Sequence, residues 1–184
     1  AGLYFQEVNT KKIFLEVVPA WFILPVVAFF LSLFFGTFIY RPLRRRGFTM
    51  SRSTNVNRKR FINGLILFMS MYVAFSIGSN NVANAAGPIA TMTANELHIS
   101  GDKNYVLIMI LSILMVAPSF TIGSSIFGNK ILNNTGKEIV LFGKFEAGII
   151  AFVSASLLLI ASVSKGIPTS LVQLNVAAIL GVGV

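Results

Sequence analysis

Long apolar stretches alternate with short polar segments along the 184 residues of the chain. The apolar stretches occupy residues 13–40, 61–95, 105–127 and 145–164. About 20 consecutive apolar residues are enough for a helix to cross the hydrocarbon core of a bilayer, so each stretch is long enough to form a transmembrane helix. The pattern therefore predicts an all-α integral membrane protein with several spans, in which residues 1–184 form a single transmembrane domain.

The charge distribution indicates which side of the membrane the loops face. Only 11% of the residues are charged, whereas soluble domains average about 25%. The net charge is +9, and eight of the fifteen basic residues lie in the segment 41–60. Positive charge next to membrane spans is typical of cytoplasmic loops, so 41–60 is predicted to be a basic cytoplasmic loop of a multi-pass plasma-membrane protein that contacts lipid and no nucleic acid. A lipid-binding or regulatory role for this loop is the alternative.

Two polar interruptions fall within the apolar sequence. Residues 78–88 hold two glycines, a proline, a serine and three asparagines, and residues 166–175 hold a glycine and a proline followed by hydroxyl and amide side chains. Lipid cannot satisfy exposed backbone polar groups, so such segments must face protein, water or a ligand. We expect 61–95 to be a helix broken near 78–88 by an irregular turn, and 166–184 to be a re-entrant segment or half-helix.

Broken helices provide groups that bind anions. The N-termini of half-helices carry free N–H groups and partial positive charge. Hydroxyl and amide side chains add hydrogen-bond donors without the cost of burying a charge. The predicted substrate-binding residues are Ser79, Asn80, Asn84, Thr169, Ser170 and Gln173.

Other classes of function find little support in the sequence. It has no cysteine and one histidine, and it lacks a nucleophile–histidine–acid set, a Walker loop and zinc-ligand spacing. We therefore expect a transporter rather than an enzyme, with no catalytic residue, resident metal or cofactor. Two alternatives remain: a non-transporting membrane subunit whose breaks serve helix packing, and an ion-channel filter. Glu16 has two readings, a carboxylate at headgroup level or a buried partner for a proton or cation.

Both interruptions resemble signature motifs of the inorganic phosphate transporter (PiT) family. The segment Gly78-Ser79-Asn80-Asn81-Val82-Ala83-Asn84-Ala85 is similar to the pattern G-x-N-D-V-A-N-A, and Gly166-Ile167-Pro168-Thr169-Ser170 is similar to the start of G-x-P-V-S-T-T-H/Q. Ala20-Trp21 followed by Pro25 resembles a further span of the family. The resemblance implies cation-coupled uptake of a tetrahedral oxyanion through two inverted repeats, each with one copy of both motifs. Because one copy of each is present, we expect the second repeat of a longer transporter, completed by the first repeat or by a second copy of the chain in a homo-oligomer.

The departures from the family pattern concern substrate and coupling ion. Asn81 stands where the family has an aspartate, and Leu171-Val172 replaces a threonine pair, while Gln173 takes the last motif position. The resemblance implies that Asn80 and Asn81 lie at the coupling-ion site, and the missing acid argues against a standard sodium site. Sulfate only accepts hydrogen bonds, whereas phosphate can also donate, so an amide in place of the acid repels sulfate less. We expect sulfate in preference to phosphate, with a co-transported proton or sodium ion.

Overall fold

The computed structural model describes residues 9–45, 56–99, 102–138 and 143–184, and these residues are almost entirely helical, with no β-strand among them. α-Helices alternate with short π-helical segments, numbered here along the chain. The elements are α1 (Thr10–Lys12), π1 (Ile13–Val17), α2 (Val18–Phe35), π2 (Gly36–Tyr40), α3 (Arg41–Arg45), α4 (Val56–Ile77), π3 (Gly78–Val82), α5 (Ala83–Glu96), α6 (Asp102–Glu138), α7 (Lys144–Lys165) and α8 (Leu171–Gly183).

Four helical segments are long and apolar enough to cross a membrane: Thr10–Arg45, Arg60–Glu96, Asn104–Gly128 and Lys144–Ser164. The prediction of an all-α, multi-span membrane protein is therefore confirmed. The polar segment after residue 127 begins as a continuation of α6, which stays helical as far as Glu138. Residues 46–55 lie outside the described part of the chain, so the basic cytoplasmic loop at 41–60 stays a prediction.

The irregular turn expected near 78–88 is wrong. The chain remains helical there: π3 links α4 directly to α5, and Gly87 and Pro88 lie inside α5. A π-turn shifts the backbone bonding from i+4 to i+5 and so changes the helix without abandoning its hydrogen bonds. Pro88 removes a single donor from the ladder, and retaining the rest is favoured where water cannot replace them.

The other two π segments lie just before prolines. π1 ends two residues before Pro19, and π2 ends two residues before Pro42. The N–H of Val18 bonds to the carbonyl of Ile13, and that of Arg41 bonds to the carbonyl of Gly36, both with i+5 spacing. Proline lacks an N–H and its ring crowds the carbonyl four residues before it, so widening the preceding turn relieves the conflict.

The chain divides into two compact units, with boundaries between Thr10 and Lys11, between Ile77 and Gly78, and between Leu141 and Phe142. The first, called the hairpin unit, contains π3, α5 and α6. Its two α-helices are antiparallel, because Ala90 and Ala94 of α5 pack with Ile108 near the start of α6. Alanines on the contacting face of α5 allow the two backbones to approach closely.

The second unit, called the four-helix unit, is built mainly from α2, α4, α7 and α8. Its buried core holds Ala28 of α2, Leu158 of α7 and Leu174 of α8, each fully enclosed. α4 and α7 run parallel, since Lys144 bonds to Asn63 at one end and the pair of residues 72 and 156 meets further along. α2 and α8 also run parallel, joined by contacts near both of their ends.

Candidate functional site

The first motif is held by the π3 segment and the start of α5. Asn80 is buried, with 3% of its surface exposed, while Ser79 and Asn81 are half-buried. The amide nitrogen of Asn84 donates a hydrogen bond of 3.4 Å to the side-chain oxygen of Asn80. This bond links an exposed asparagine to a buried one. The motif is thus a pair of coupled neutral amides in an apolar helix.

The second motif begins where α7 ends. Gly166 has a φ of 60°, in the left-handed region that glycine adopts without steric cost. Its N–H donates to the carbonyl of Ser162 at 3.0 Å, and the N–H of Ile167 donates to that of Ala161 at 3.1 Å. The buried side chain of Ile167 then anchors the turn. Gly166 therefore ends α7 abruptly and starts a five-residue non-helical loop, 166–170.

The polar side chains of this loop bond to its own backbone. Thr169 is buried, and its hydroxyl donates to the carbonyl of Ile167 at 3.1 Å. Ser170 is the N-cap of α8: its hydroxyl oxygen accepts a bond of 3.4 Å from the N–H of Gln173. The Thr169 hydroxyl thus stabilises the loop in this conformation, whereas Ser170 and the Gln173 side chain are exposed.

Trp21 contacts the second motif, which the sequence did not predict. Its indole N–H donates a 2.9 Å hydrogen bond to the carbonyl of Pro168, at the middle of the loop. Tryptophan is enriched at membrane interfaces, so the sequence by itself favours an interface anchor at position 21. The two residues are 147 positions apart, so no local pattern could have paired them. Trp21 ties the second motif to the start of α2.

Each motif brings its own residues together, but the two motifs belong to different units. Asn80 and Asn84 meet in the hairpin unit, and Ser170 and Gln173 meet in the four-helix unit. A binding site formed by both motifs stays a prediction. Neither motif contains an ionisable side chain, so the polarity of each comes from amides, hydroxyls and backbone groups. Among the described residues, no cluster of three or more histidines and carboxylates offers a metal site.

A comparison with protein families identifies the family from which these motifs come. The Phosphate transporter family matches residues 1–184, the whole chain. The chain belongs to this family. Membership confirms the resemblance seen in the two motifs and makes the protein a multi-pass membrane protein of a transporter family.

Individual relatives carry the names of permeases for two anions. The "Sulfate permease CysP" of Bacillus subtilis (strain 168) is 29% identical over 170 residues, which cover 92% of this chain and 42% of the relative. A "Putative phosphate permease" of Helicobacter pylori is 32% identical over 64% of this chain and 22% of the relative. The "Putative phosphate permease PF1020" of Pyrococcus furiosus is 33% identical over 68% of this chain and 30% of the relative.

The similarity covers only part of each relative and extends to no solved structure. The chain spans less than half the length of each of the three relatives, and no solved structure matches it. The names are those of permeases, which are transporters rather than enzymes, as the sequence predicted.

Proposed function

We propose that this chain acts in a permease that moves an inorganic tetrahedral oxyanion across the cell membrane, with sulfate preferred over phosphate. The observation that carries the proposal is the amide pair of Asn80 and Asn84, held at a π-turn inside an apolar transmembrane helix. Neutral amides can bind an oxyanion and release it again, because no full charge holds it in place. We infer that each motif contributes hydrogen-bond donors to transport.

The preference for sulfate rests on Asn81. This residue is an amide where the family pattern has a carboxylate, and it is half-buried in π3. A carboxylate can accept a proton from hydrogen phosphate, but it repels sulfate, which has no proton to donate. The relative named for sulfate aligns with 92% of the chain, which supports this assignment, whereas relatives named for phosphate align with shorter parts of it, up to 80%, some at higher identity.

Coupling to a cation is part of the proposal. Because Asn80 and Asn81 are neutral, they can coordinate sodium through their oxygens but cannot carry a proton. A proton would need a carboxylate elsewhere, and half-buried Glu16 in π1 is the candidate. Sodium dependence of uptake would favour the amides, whereas dependence on a proton gradient that Glu16→Gln abolishes would favour Glu16.

Uptake into proteoliposomes tests the choice of substrate. We expect labelled sulfate to enter, and phosphate at equal concentration to compete weakly. Asn81→Asp should lower sulfate uptake by about tenfold or more, the equivalent of about 1.4 kcal/mol of charge repulsion. Asn95→Asp is the matched control, because Asn95 is exposed at the end of α5, outside the motif. Phosphate outcompeting sulfate would overturn the preference for sulfate.

The same assay separates transport from a purely structural role. Asn84→Ala and Ser170→Gly each remove one polar group, and glycine retains most of the N-cap stability at position 170. We expect uptake to fall at least about tenfold in each, with the thermal stability within about 1 kcal/mol of the unsubstituted protein. Loss of stability in step with loss of uptake would instead favour a non-transporting subunit whose breaks serve packing.

A further inference from the structure

A groove runs between α4 and α7 of the four-helix unit, and no residue of either motif is among those that line it. Its volume is about 840 Å³. On the α7 side it is lined by Ala147, Gly148 and Ala151, whose small side chains leave the space open. The α4 side is mostly apolar, from Ile66 to Val73. The groove is therefore mostly apolar, and the side chains of the two helices leave it open.

A cation lies at one end of this groove. The ammonium group of Lys144, the first residue of α7, donates a hydrogen bond of 3.2 Å to the side-chain oxygen of Asn63. That partner is neutral, and no carboxylate pairs with Lys144 in the described part of the chain. Arg60 lies one helical turn before Asn63. The mouth of the groove thus offers a positive charge with no direct carboxylate partner, next to an apolar groove.

Further positive charge gathers at the same end of the four-helix unit. The ring of Tyr40 stacks on that of Phe145, with centroids 6.3 Å apart. The contact brings the arginines of α3, which follow directly, to the end where α7 begins. The only acidic residue described close to the start of α7 is Glu146, whose carboxylate accepts a hydrogen bond from the N–H of Gly143. This basic end of the unit comprises Arg41, Arg44, Arg45, Arg60 and Lys144.

The length of the groove matches one leaflet of a bilayer. Between Asn63 and Val73 the α-helix rises by about 15 Å, at about 1.5 Å per residue. The hydrocarbon core of a bilayer is about 30 Å thick, so one leaflet accounts for about half of it. The hydrogen bond of 3.1 Å between Tyr72 and Ser156 joins the two helices next to Val73, at the inner end. The groove therefore extends from a charged mouth to a depth of about one leaflet.

We propose that this groove binds an anionic phospholipid, with the phosphate on Lys144 and Asn63 and one acyl chain along Ala147, Gly148 and Ala151. Charge complementarity at the mouth selects the headgroup, and the apolar channel accepts the chain. Basic pockets between transmembrane helices are suited to anionic headgroups. An apolar helix from another subunit would leave the Lys144 charge without a counterion. The lining of the site includes no residue of the proposed substrate motifs.

Lipid binding to the purified full chain tests this site. Native mass spectrometry would measure the binding of phosphatidylglycerol, phosphatidylcholine and inorganic phosphate, each added separately and in competition. We expect phosphatidylglycerol to bind at least about fivefold more tightly than phosphatidylcholine, and Lys144→Gln to remove that difference. Ala151→Phe, which fills the channel, should weaken both lipids. Inorganic phosphate should not displace phosphatidylglycerol.

Two substitutions elsewhere in the four-helix unit serve as matched controls. Lys11→Gln removes one positive charge at the opposite end of the first long helix, and Val163→Phe enlarges an exposed side chain of α7 outside the groove. Both should bind lipid as the unsubstituted protein does. If Ala151→Phe fails to fold, Ala147→Leu replaces it, since Ala147 is exposed. Equal affinity for both lipids, displacement by inorganic phosphate, or a change of oligomeric state on filling the groove would overturn the proposal.

Discussion

Trp21 is the residue through which α2 reaches the second motif. Its indole N–H donates to the carbonyl of Pro168, while the following residue, Thr169, bonds to the loop's own backbone. Pro168 has no N–H of its own, so its carbonyl is the only backbone group that it can use in a hydrogen bond. We interpret Trp21 as a positioning residue that holds loop 166–170 against α2.

Replacing Trp21 with phenylalanine tests this role. Trp21→Phe retains an aromatic ring and removes the N–H donor. A net hydrogen bond contributes about 1 kcal/mol, so we expect uptake to fall by about fivefold through a looser loop. The apparent KM for sulfate should rise more than the maximal rate falls. Tyr105→Phe is the control, because the Tyr105 hydroxyl makes only a long 3.5 Å contact to Thr91, away from the loop. Unchanged transport in Trp21→Phe would rule the positioning role out.

The α2–α8 pair shows why small residues matter more than polarity in this membrane protein. Ala28, Ser32 and Gly36 recur at every fourth position of the first long helix, and all are buried. A Cβ atom built on Gly181 of α8 would lie 2.3 Å from the carbonyl oxygen of Phe29. Ser32 is fully buried and its hydroxyl has no partner in the described part of the chain. The small size of Ser32 allows the backbones of α2 and α8 to approach closely.

The close approach gives a direct test at Gly181. Gly181→Val would force α2 and α8 apart, because the clash is with backbone atoms that cannot rotate away. We expect a loss of about 1–3 kcal/mol or more in unfolding free energy, measured by thermal denaturation in detergent. Gly183→Val is the control on the same helix, since nothing lies within 4 Å of a Cβ added there. Equal stability of the two variants would mean that the helices do not cross at Gly181.

The four-helix unit as a whole is polarised by charge. Its basic end holds arginines of α3 and the starts of α4 and α7, while Lys11 lies at the far end of the first long helix. The positive-inside rule predicts that the more basic end faces the cytoplasm. This orientation would put Lys11 and Lys12 on the outside, where positive charge is disfavoured. The five basic residues of the basic end outnumber these two.

Single cysteines can report this orientation, because the natural chain has none. We expect Arg44→Cys to react with a membrane-impermeant maleimide only when the cytoplasmic face is accessible. Lys11→Cys should react from the opposite side. Both side chains are exposed, so reactivity reports sidedness rather than burial. Reaction of Arg44→Cys in sealed right-side-out vesicles would reverse the assigned orientation.

Much of the architecture was accessible from the sequence for a physical reason. A bilayer imposes a length of about 20 apolar residues on each span and excludes unsatisfied backbone groups, so spans and interruptions are visible in the hydropathy pattern. The motif residues 78–85 and 166–170 identified the family, which the match over residues 1–184 confirmed. His98 shows the limit of such reading: it is exposed, and it adopts a φ of 51° in the turn after α5, a backbone conformation that the sequence did not indicate.

The form of the interruptions and the contacts around them depended on the tertiary structure. Glycine and proline predict that a helix changes at 78–88, but a π-turn and a non-helical turn differ only in whether the backbone bonds are retained. The bond from Trp21 to Pro168, the crossing at Gly181 and the groove below Lys144 join residues that lie between 81 and about 150 positions apart. Local propensity carries no information about such pairs, because they are chosen by the packing of whole helices. The sequence alone therefore determined the spans, the family and the chemistry of the motifs, and the packing of the helices decided which residues support them.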